Sequence, residues 1–365
     1  MILFYHLSLQ PKLPHIWIIR YCKFQLKQPQ FKLSKSPSVL YRKSTHELFT
    51  EIEKDGKKQM VDRTIVLGGK RGVGKSTLLY TAVNHFLQND WIVFYEPQLS
   101  QWTSGIYPYA SVKDSTLYDQ PNLAASILKS FSELNKTQLV KIQSAKNGNL
   151  YELAQSGVKN LLKSHSILES VMEELIASEK RPPILFALDQ VNALYTQTHY
   201  FDKESQPLTA NRLRVVNQIH KLLDSKSLKN LSTVIAQSES HSLIRSKFLI
   251  GQIEKAKLIS ETDPFDLSFD RFEALENDVE GNVSLPLKLN PLQMDPFLNS
   301  IDVSVRELHH FKVPMLTTEE AKTMIFFYKT TNALHQDPVD QPYVTKQWML
   351  SQGNALELFR AATFI

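Results

Sequence analysis

Cysteine is almost absent: Cys22 is the only one in 365 residues. No disulfide can close within the chain, and no zinc ribbon or finger can form. That suits a reducing compartment such as the cytosol or the mitochondrial matrix. Long apolar runs are also missing. Ile16-Trp17-Ile18-Ile19 is stopped by Arg20, far short of the roughly 20 residues of a spanning helix. There is no secretory signal of normal form, no internal repeat and no low-complexity tract. Acid is lacking in one place only. Residues 1–46 hold eight of the 42 Lys and Arg (Lys12, Arg20, Lys23, Lys27, Lys32, Lys35, Arg42 and Lys43) and none of the 37 Asp and Glu. The remaining 34 basic side chains face all 37 acids, a balance of −3. The basic character therefore belongs to an N-terminal arm. Such an arm matches a mitochondrial transit peptide or a segment lying on nucleic-acid phosphates, and both roles can share it.

What is present is a phosphate loop. Gly69-Lys70-Arg71-Gly72-Val73-Gly74-Lys75-Ser76 completes the G-x-x-x-x-G-K-[ST] pattern after the apolar run Thr64-Ile65-Val66-Leu67-Gly68, so a buried strand precedes it and a helix follows. Gly69, Gly72 and Gly74 let the backbone approach a ligand closely. Successive N–H groups then form a nest for phosphates, and the helix opening at Lys75-Ser76-Thr77 adds its N-terminal partial charge. Arg71 and Val73 lie within the same loop. Lys75 is placed to reach the outer phosphates, and the Ser76 hydroxyl to sit on Mg²⁺.

The remaining pattern reads as alternating strands and helices. Residues 1–45 are irregular, punctuated by Pro11, Pro14, Pro29 and Pro37, and a helix starts near Ser44-Thr45-His46. Trp91–Tyr95 is a second strand, residues 98–122 a polar loop, Asn122–Asn135 a helix, and residues 136–165 an insertion. Ile167–Ser178 is an amphipathic helix, Ile184–Asp189 a buried strand, Ala210–Asp224 a helix and Leu231–Ala236 another strand. Residues 260–310 are loop-rich, and Phe311–Met315 is the last strand. Thr317-Thr318-Glu319-Glu320 caps a helix from Glu319 to Tyr328, and a final helix starts near Ala355. The fold class is α/β: a P-loop NTPase with a parallel sheet flanked by helices, of the additional-strand, AAA+-related kind, with a small helical C-terminal lid. The expected organisation is an extension over 1–45, a nucleotide-binding domain over 46–315 and the lid over 316–365.

Asp189 ends five apolar residues, where a second Mg²⁺ ligand belongs. The next residue, Gln190, can orient a water but cannot take its proton. Gln237, at the end of a later strand, is a candidate sensor of the outer phosphate, and Glu96 a substitute base. No cis arginine finger stands out. The residues support binding more firmly than turnover.

Several blocks together resemble the mitochondrial small-ribosomal-subunit protein family of death-associated protein 3. They are Gly68–Ser76, Asp90-Trp91-Ile92-Val93, Tyr118-Asp119-Gln120-Pro121, Ala187-Leu188-Asp189-Gln190-Val191-Asn192-Ala193-Leu194-Tyr195 and Leu350-Ser351-Gln352-Gly353-Asn354-Ala355. The resemblance runs from about residue 38 to the C-terminus. It implies a structural, GTPase-like subunit in the head of the mitochondrial small ribosomal subunit, in the matrix. The partners implied are ribosomal RNA, neighbouring ribosomal proteins and the nearby large subunit. The implied ligand is GTP or GDP with Mg²⁺, held by Gly69 to Ser76, Thr77 and Asp189. Gln190 departs from the small residue often found at its position. No Asn-Lys-x-Asp motif reads guanine here, so GTP over ATP rests on the resemblance. An AAA+-related ATPase for remodelling or signalling is the alternative, and a nucleotide kinase a more distant one.

Overall fold

The apolar runs pair side by side into one parallel sheet. The computed structural model describes residues 3–6, 38–57, 63–145, 148–178, 180–224, 229–238, 307–334 and 339–363. Most of the basic arm, with Cys22 and Ile16–Ile19, lies outside the described residues, as does the loop-rich stretch up to residue 306. β1 (Leu3–His6) pairs antiparallel with β2 (Ser38–Tyr41), and α1 (Lys43–Gly56) follows. β3 (Arg63–Gly68) runs through the glycine loop into α2 (Lys75–Gln88). After β4 (Ile92–Glu96) come the short α3 (Ser100–Thr103) and a hairpin of β5 (Ala110–Ser111) with β6 (Tyr118–Asp119). Four helices follow: α4 (Pro121–Leu134), α5 (Lys136–Leu139), α6 (Leu150–Lys159) and α7 (Ser164–Ala177). β7 (Ile184–Asp189) leads to a hairpin of β8 (Gln197–Phe201) with β9 (Pro207–Thr209), then α8 (Arg214–Asp224) and β10 (Leu231–Ala236). β11 (Glu307–Lys312), α9 (Thr318–Thr330), α10 (Gln341–Ser351) and α11 (Ala355–Thr363) complete the described chain.

The five-stranded sheet has the order β11-β3-β10-β7-β4, and every pairing is parallel. β10 therefore stands between the strand of the phosphate loop and the strand of Asp189, which is the additional-strand arrangement. Both faces are covered, so the strands read as continuous apolar runs. Alternate residues still divide between two cores. Ile65, Leu67, Leu185, Ala187 and Val234 pack with Leu48 and Ile52 of α1 and Leu79 and Phe86 of α2. Val66, Phe94, Phe186, Leu188 and Ile235 pack with Leu128 of α4, Val171 of α7 and Val216 of α8. A third apolar cluster (Leu316, Ile325, Tyr328, Val344, Phe359 and neighbours) joins α9, α10 and α11.

Local readings failed where tertiary contacts decide. The polar stretch 98–122 contains α3 and the β5–β6 hairpin, and the insertion contains α5 and α6. β1 falls within the extension read as irregular, and the β8–β9 hairpin was not foreseen. α10 was missed because it carries little periodicity: Met349 and Leu350 are exposed. Its start is nevertheless marked by Asp340, whose side chain accepts from Tyr343 N at 2.9 Å, with Pro342 in the first turn. The last strand begins four residues earlier than expected, at Glu307; Pro314 cannot donate to a ladder. The capping box at Thr317 and Glu320 is present in both directions, at 3.2 and 3.0 Å. Among the described residues, no helix is long and apolar enough to cross a membrane.

β4 lies at one edge of the sheet, and a side chain completes its bonding there. Asn135 is fully buried. Its carboxamide accepts from Val93 N at 2.7 Å and donates to Val93 O at 2.9 Å and Phe131 O at 2.8 Å. Removing it strands a buried peptide group, which costs more than the bond itself. Asn135→Ala is expected to lower the unfolding free energy by about 2–3 kcal/mol. Asn89→Ala, which loses an exposed bond to His85 O, should lower it by less than about 1 kcal/mol. Urea melts of the two variants check this, and equal losses would contradict it.

Candidate functional site

Every strand of a parallel sheet presents its carboxyl end to the same edge, and the candidate site is built there. The loop between β3 and α2 holds Gly72 at φ +86° and Gly74 at φ +104°, left-handed angles that a side chain would strain. A Cβ on Gly74 would meet nothing within 4 Å, so angle alone demands glycine there. At Gly72 a Cβ would also fall 2.5 Å from Asn354 Oδ1. Lys75 opens α2 and is buried; its ammonium donates to Gly69 O at 2.5 Å and Lys70 O at 3.2 Å.

A cavity of about 460 Å³ opens over this loop, a size suited to a small ligand. Its polar lining includes Arg71, Gly72, Gly74, Lys75, Ser76, Thr77, Asp189, Gln190, Gln237 and Ser238, with Val73 in the loop. Its apolar lining includes Val39 and Leu40 of β2, Leu316 ahead of α9, Met324, Phe327 and Tyr328 of α9, and Phe359 of α11. Gly69 supports the loop from behind, against Val313 O. The structure thus gathers the loop residues, Ser76, Thr77, Asp189, Gln190 and Gln237 at one place.

Asp189 is nearly buried, and burial pushes its carboxyl up from the usual carboxylate range. Hydrogen bonds from the Ser76 hydroxyl and the Gln190 N–H, and the charge of Lys75, pull the other way. A desolvated carboxylate beside a hydroxyl suits a hard divalent cation with most of its water retained. Among the described residues no cluster of three or more His, Cys, Asp or Glu could hold a metal ion.

Gln190 takes a left-handed backbone (φ 62°), and its N–H donates to Asp189 Oδ1 at 2.8 Å. Its side-chain oxygen accepts from the Ser100 hydroxyl. The carboxamide is thereby tied to α3. Gln237 is placed by Asn192. The Asn192 amide donates to Ser238 O and its oxygen accepts from Ser238 N, both at 3.0 Å. This clamp joins the turn after β7 to the end of β10. Sequence reasoning saw Asn192 only as part of a block and gave it no role.

Glu96 stands apart. It ends β4 in register with Leu188 and does not line the cavity. Burial pushes its carboxyl up to about 8, against a hydrogen bond with Trp102. A carboxyl still protonated at neutral pH cannot accept a proton from water. Arg42, also missed from sequence, closes one side of the site. It donates to Pro314 O at 2.9 Å and Met315 O at 2.8 Å, and to both oxygens of Glu320 at 3.1 Å. The strand that roofs the cavity is bolted to α9 in this way.

Because the folded chain raises the Glu96 pKa, it retains a proton that the unfolded chain releases from about pH 4.5 upward. Stability is therefore lost as pH rises from there to about 8. Glu96→Gln removes that dependence. The variant should melt with the natural protein near pH 4 and progressively above it up to pH 8.5. A difference in melting temperature that stays flat with pH would contradict this assignment.

A family model described as mitochondrial ribosomal death-associated protein 3 matches residues 39–361. The small ribosomal subunit protein mS29 of Neurospora crassa is 27% identical over 268 residues, covering 67% of this chain and 57% of that protein. The protein of the same name from Schizosaccharomyces pombe is 22% identical over 351 residues, covering 91% of this chain and 66% of its own length. The chain thus spans between 57% and 66% of the length of these relatives. Among solved structures, a Walker-type ATPase of Pyrococcus abyssi superposes with a TM-score of 0.44 at 14% identity, over 88% of this chain and 66% of that one. The family match begins within β2 and ends within α11, taking in the phosphate loop, Asp189, Asn192 and Asn354, and the chain belongs to the mitochondrial ribosomal death-associated protein 3 family.

Proposed function

We propose that this protein is a structural component of the small subunit of the mitochondrial ribosome, in the matrix, and that it carries a guanine nucleotide with Mg²⁺ at little or no turnover. The observation that supports it best is the cavity itself. A phosphate loop, a buried carboxylate and apolar side chains meet there. The relatives' names carry the ribosomal part of the reading. The acid-free basic arm favours RNA phosphates as partners alongside other ribosomal proteins. Guanine over adenine rests on the family resemblance, and so does a place in the subunit head near the large subunit.

The residues fit the ligand. The turned loop peptides and Lys75 would hold the phosphates, Ser76 and Asp189 the metal ion, and Val39, Phe327 and Phe359 the base. Bound Mg²⁺ supplies charge neutralisation between the phosphates and the Asp189 carboxylate. Gln237 is the candidate to contact the outer phosphate. A nucleotide held only by the folded chain adds stability by mass action, about 2.7 kcal/mol at a hundred times its dissociation constant. An AAA+-related ATPase remains the second reading, since the sheet order and the C-terminal helices suit it equally.

Native particles separate the two. The chain is expected to sediment with the small subunit at moderate salt, and acid extraction should release close to one GDP or GTP per chain. A chain that sediments free of the particle would sink the ribosomal reading, and extracted ADP would sink the base assignment. With purified protein, GDP and Mg²⁺ should raise the melting temperature by about 5 °C. Lys75→Ala should abolish that rise. Steady ATP turnover lost in Lys75→Ala would favour the ATPase.

A further inference from the structure

A phosphate nest poses a problem of peptide geometry. A planar trans peptide sets its C=O and N–H on opposite sides, so N–H groups facing a ligand require carbonyls facing away. Those carbonyls need donors of their own when water is excluded. In this loop the donors come from the C-terminal helices. The Asn354 side-chain amide donates to Arg71 O at 2.6 Å, and Leu356 N donates to Gly72 O at 3.0 Å. The Asn354 oxygen accepts from Leu356 N at 3.0 Å and Glu357 N at 3.3 Å, which caps α11. One buried side chain therefore caps α11 with its oxygen and holds the phosphate loop with its nitrogen. Turning the Arg71 carbonyl toward α11 turns the Gly72 N–H to the opposite side of the loop.

Asn354 is itself held firmly. Gln352 and Gly353 take left-handed angles (φ 51° and 71°) that end α10. Gly353 O accepts from Leu316 N at 2.7 Å, and Trp348 Nε1 donates to Leu316 O at 2.8 Å. A few residues upstream, Val313 N donates to Gly68 O at 2.9 Å, just before the loop. The lid helices thus reach the middle of the loop, and the end of β11 holds the strand just before it. The same helices supply Phe327, Tyr328 and Phe359 to the cavity wall.

We propose that Asn354 is a positioning residue through which the C-terminal helices set the phosphate loop, so that nucleotide binding and docking of α11 are one coupled equilibrium. This rests on the nucleotide reading of the cavity. The coupling is reciprocal by thermodynamic necessity: whatever the docked lid adds to nucleotide affinity, the nucleotide adds to lid docking. Arg71 then serves mainly through its carbonyl, and the Leu350–Ala355 block acquires a role that links it to the Gly68–Ser76 block.

The test uses the full chain and a fluorescent mant-GDP with Mg²⁺. Asn354→Ser keeps a good helix cap and adds no charge, but is too short to reach Arg71 O. Its affinity is expected to fall about tenfold, the scale of one lost, well-formed hydrogen bond; because Arg71 O also loses its donor in the free protein, the melting temperature falls too, and affinity is read at a temperature where both proteins are fully folded. Independently of any variant, mant-GDP should slow amide exchange over residues 355–359 in the natural protein. Wild-type affinity in Asn354→Ser, or a natural protein that binds mant-GDP without protecting α11, would overturn the coupling. A natural protein that binds neither mant-GDP nor mant-ATP would overturn the nucleotide reading instead.

Discussion

The structure depends on strands that end level with one another. Ala236 pairs with Leu67 on one side and with Asp189 on the other, and Lys312 stands beside Gly68. The phosphate loop, the buried carboxylate and Gln237 therefore emerge at one height, although they are far apart in sequence. This alignment comes from the backbone ladder and the two-sided burial that makes register costly to change. A one-residue slip of β7 would exchange its two faces between the cores and move Asp189 away from Ser76.

That alignment explains which parts were legible in the sequence. The loop, its helix and the strands around Ile65, Phe186 and Val234 declare themselves locally, through glycine spacing and unbroken apolar runs. The additional-strand class is read from the sequence, but the inserted strand, β10, lies after Asp189 in the chain. The supports were not legible. Asn192, Arg42 and Asn354 are ordinary polar residues whose partners lie 46, 272 and 283 positions away. Nothing in their neighbourhood distinguishes a clamp from a solvated side chain. The β8–β9 hairpin and α10 were missed for a related reason. Their sides facing the protein are set by the elements they cover, so the periodicity is weak.

Binding and turnover make different demands, and the geometry separates them. Binding needs turned peptides, a cation and a metal position, and all three have residues in the cavity. Turnover needs a group that positions or deprotonates the attacking water. Gln190 cannot take a proton and its carboxamide oxygen is held by Ser100, while burial pushes the Glu96 carboxyl up to about 8. Under the proposed reading, the free energy of a bound nucleotide goes into shape.

Asn135 bears on a different hazard. An unpaired strand edge is a template for any other extended chain, and β4 is such an edge. By occupying both the N–H and the C=O of Val93, Asn135 denies an incoming strand its central pair of rungs. The edge is closed from within the fold, with no charge or proline placed on it. Pairing with a foreign strand through backbone alone is hindered at Val93, and recognition on that side is left to side chains.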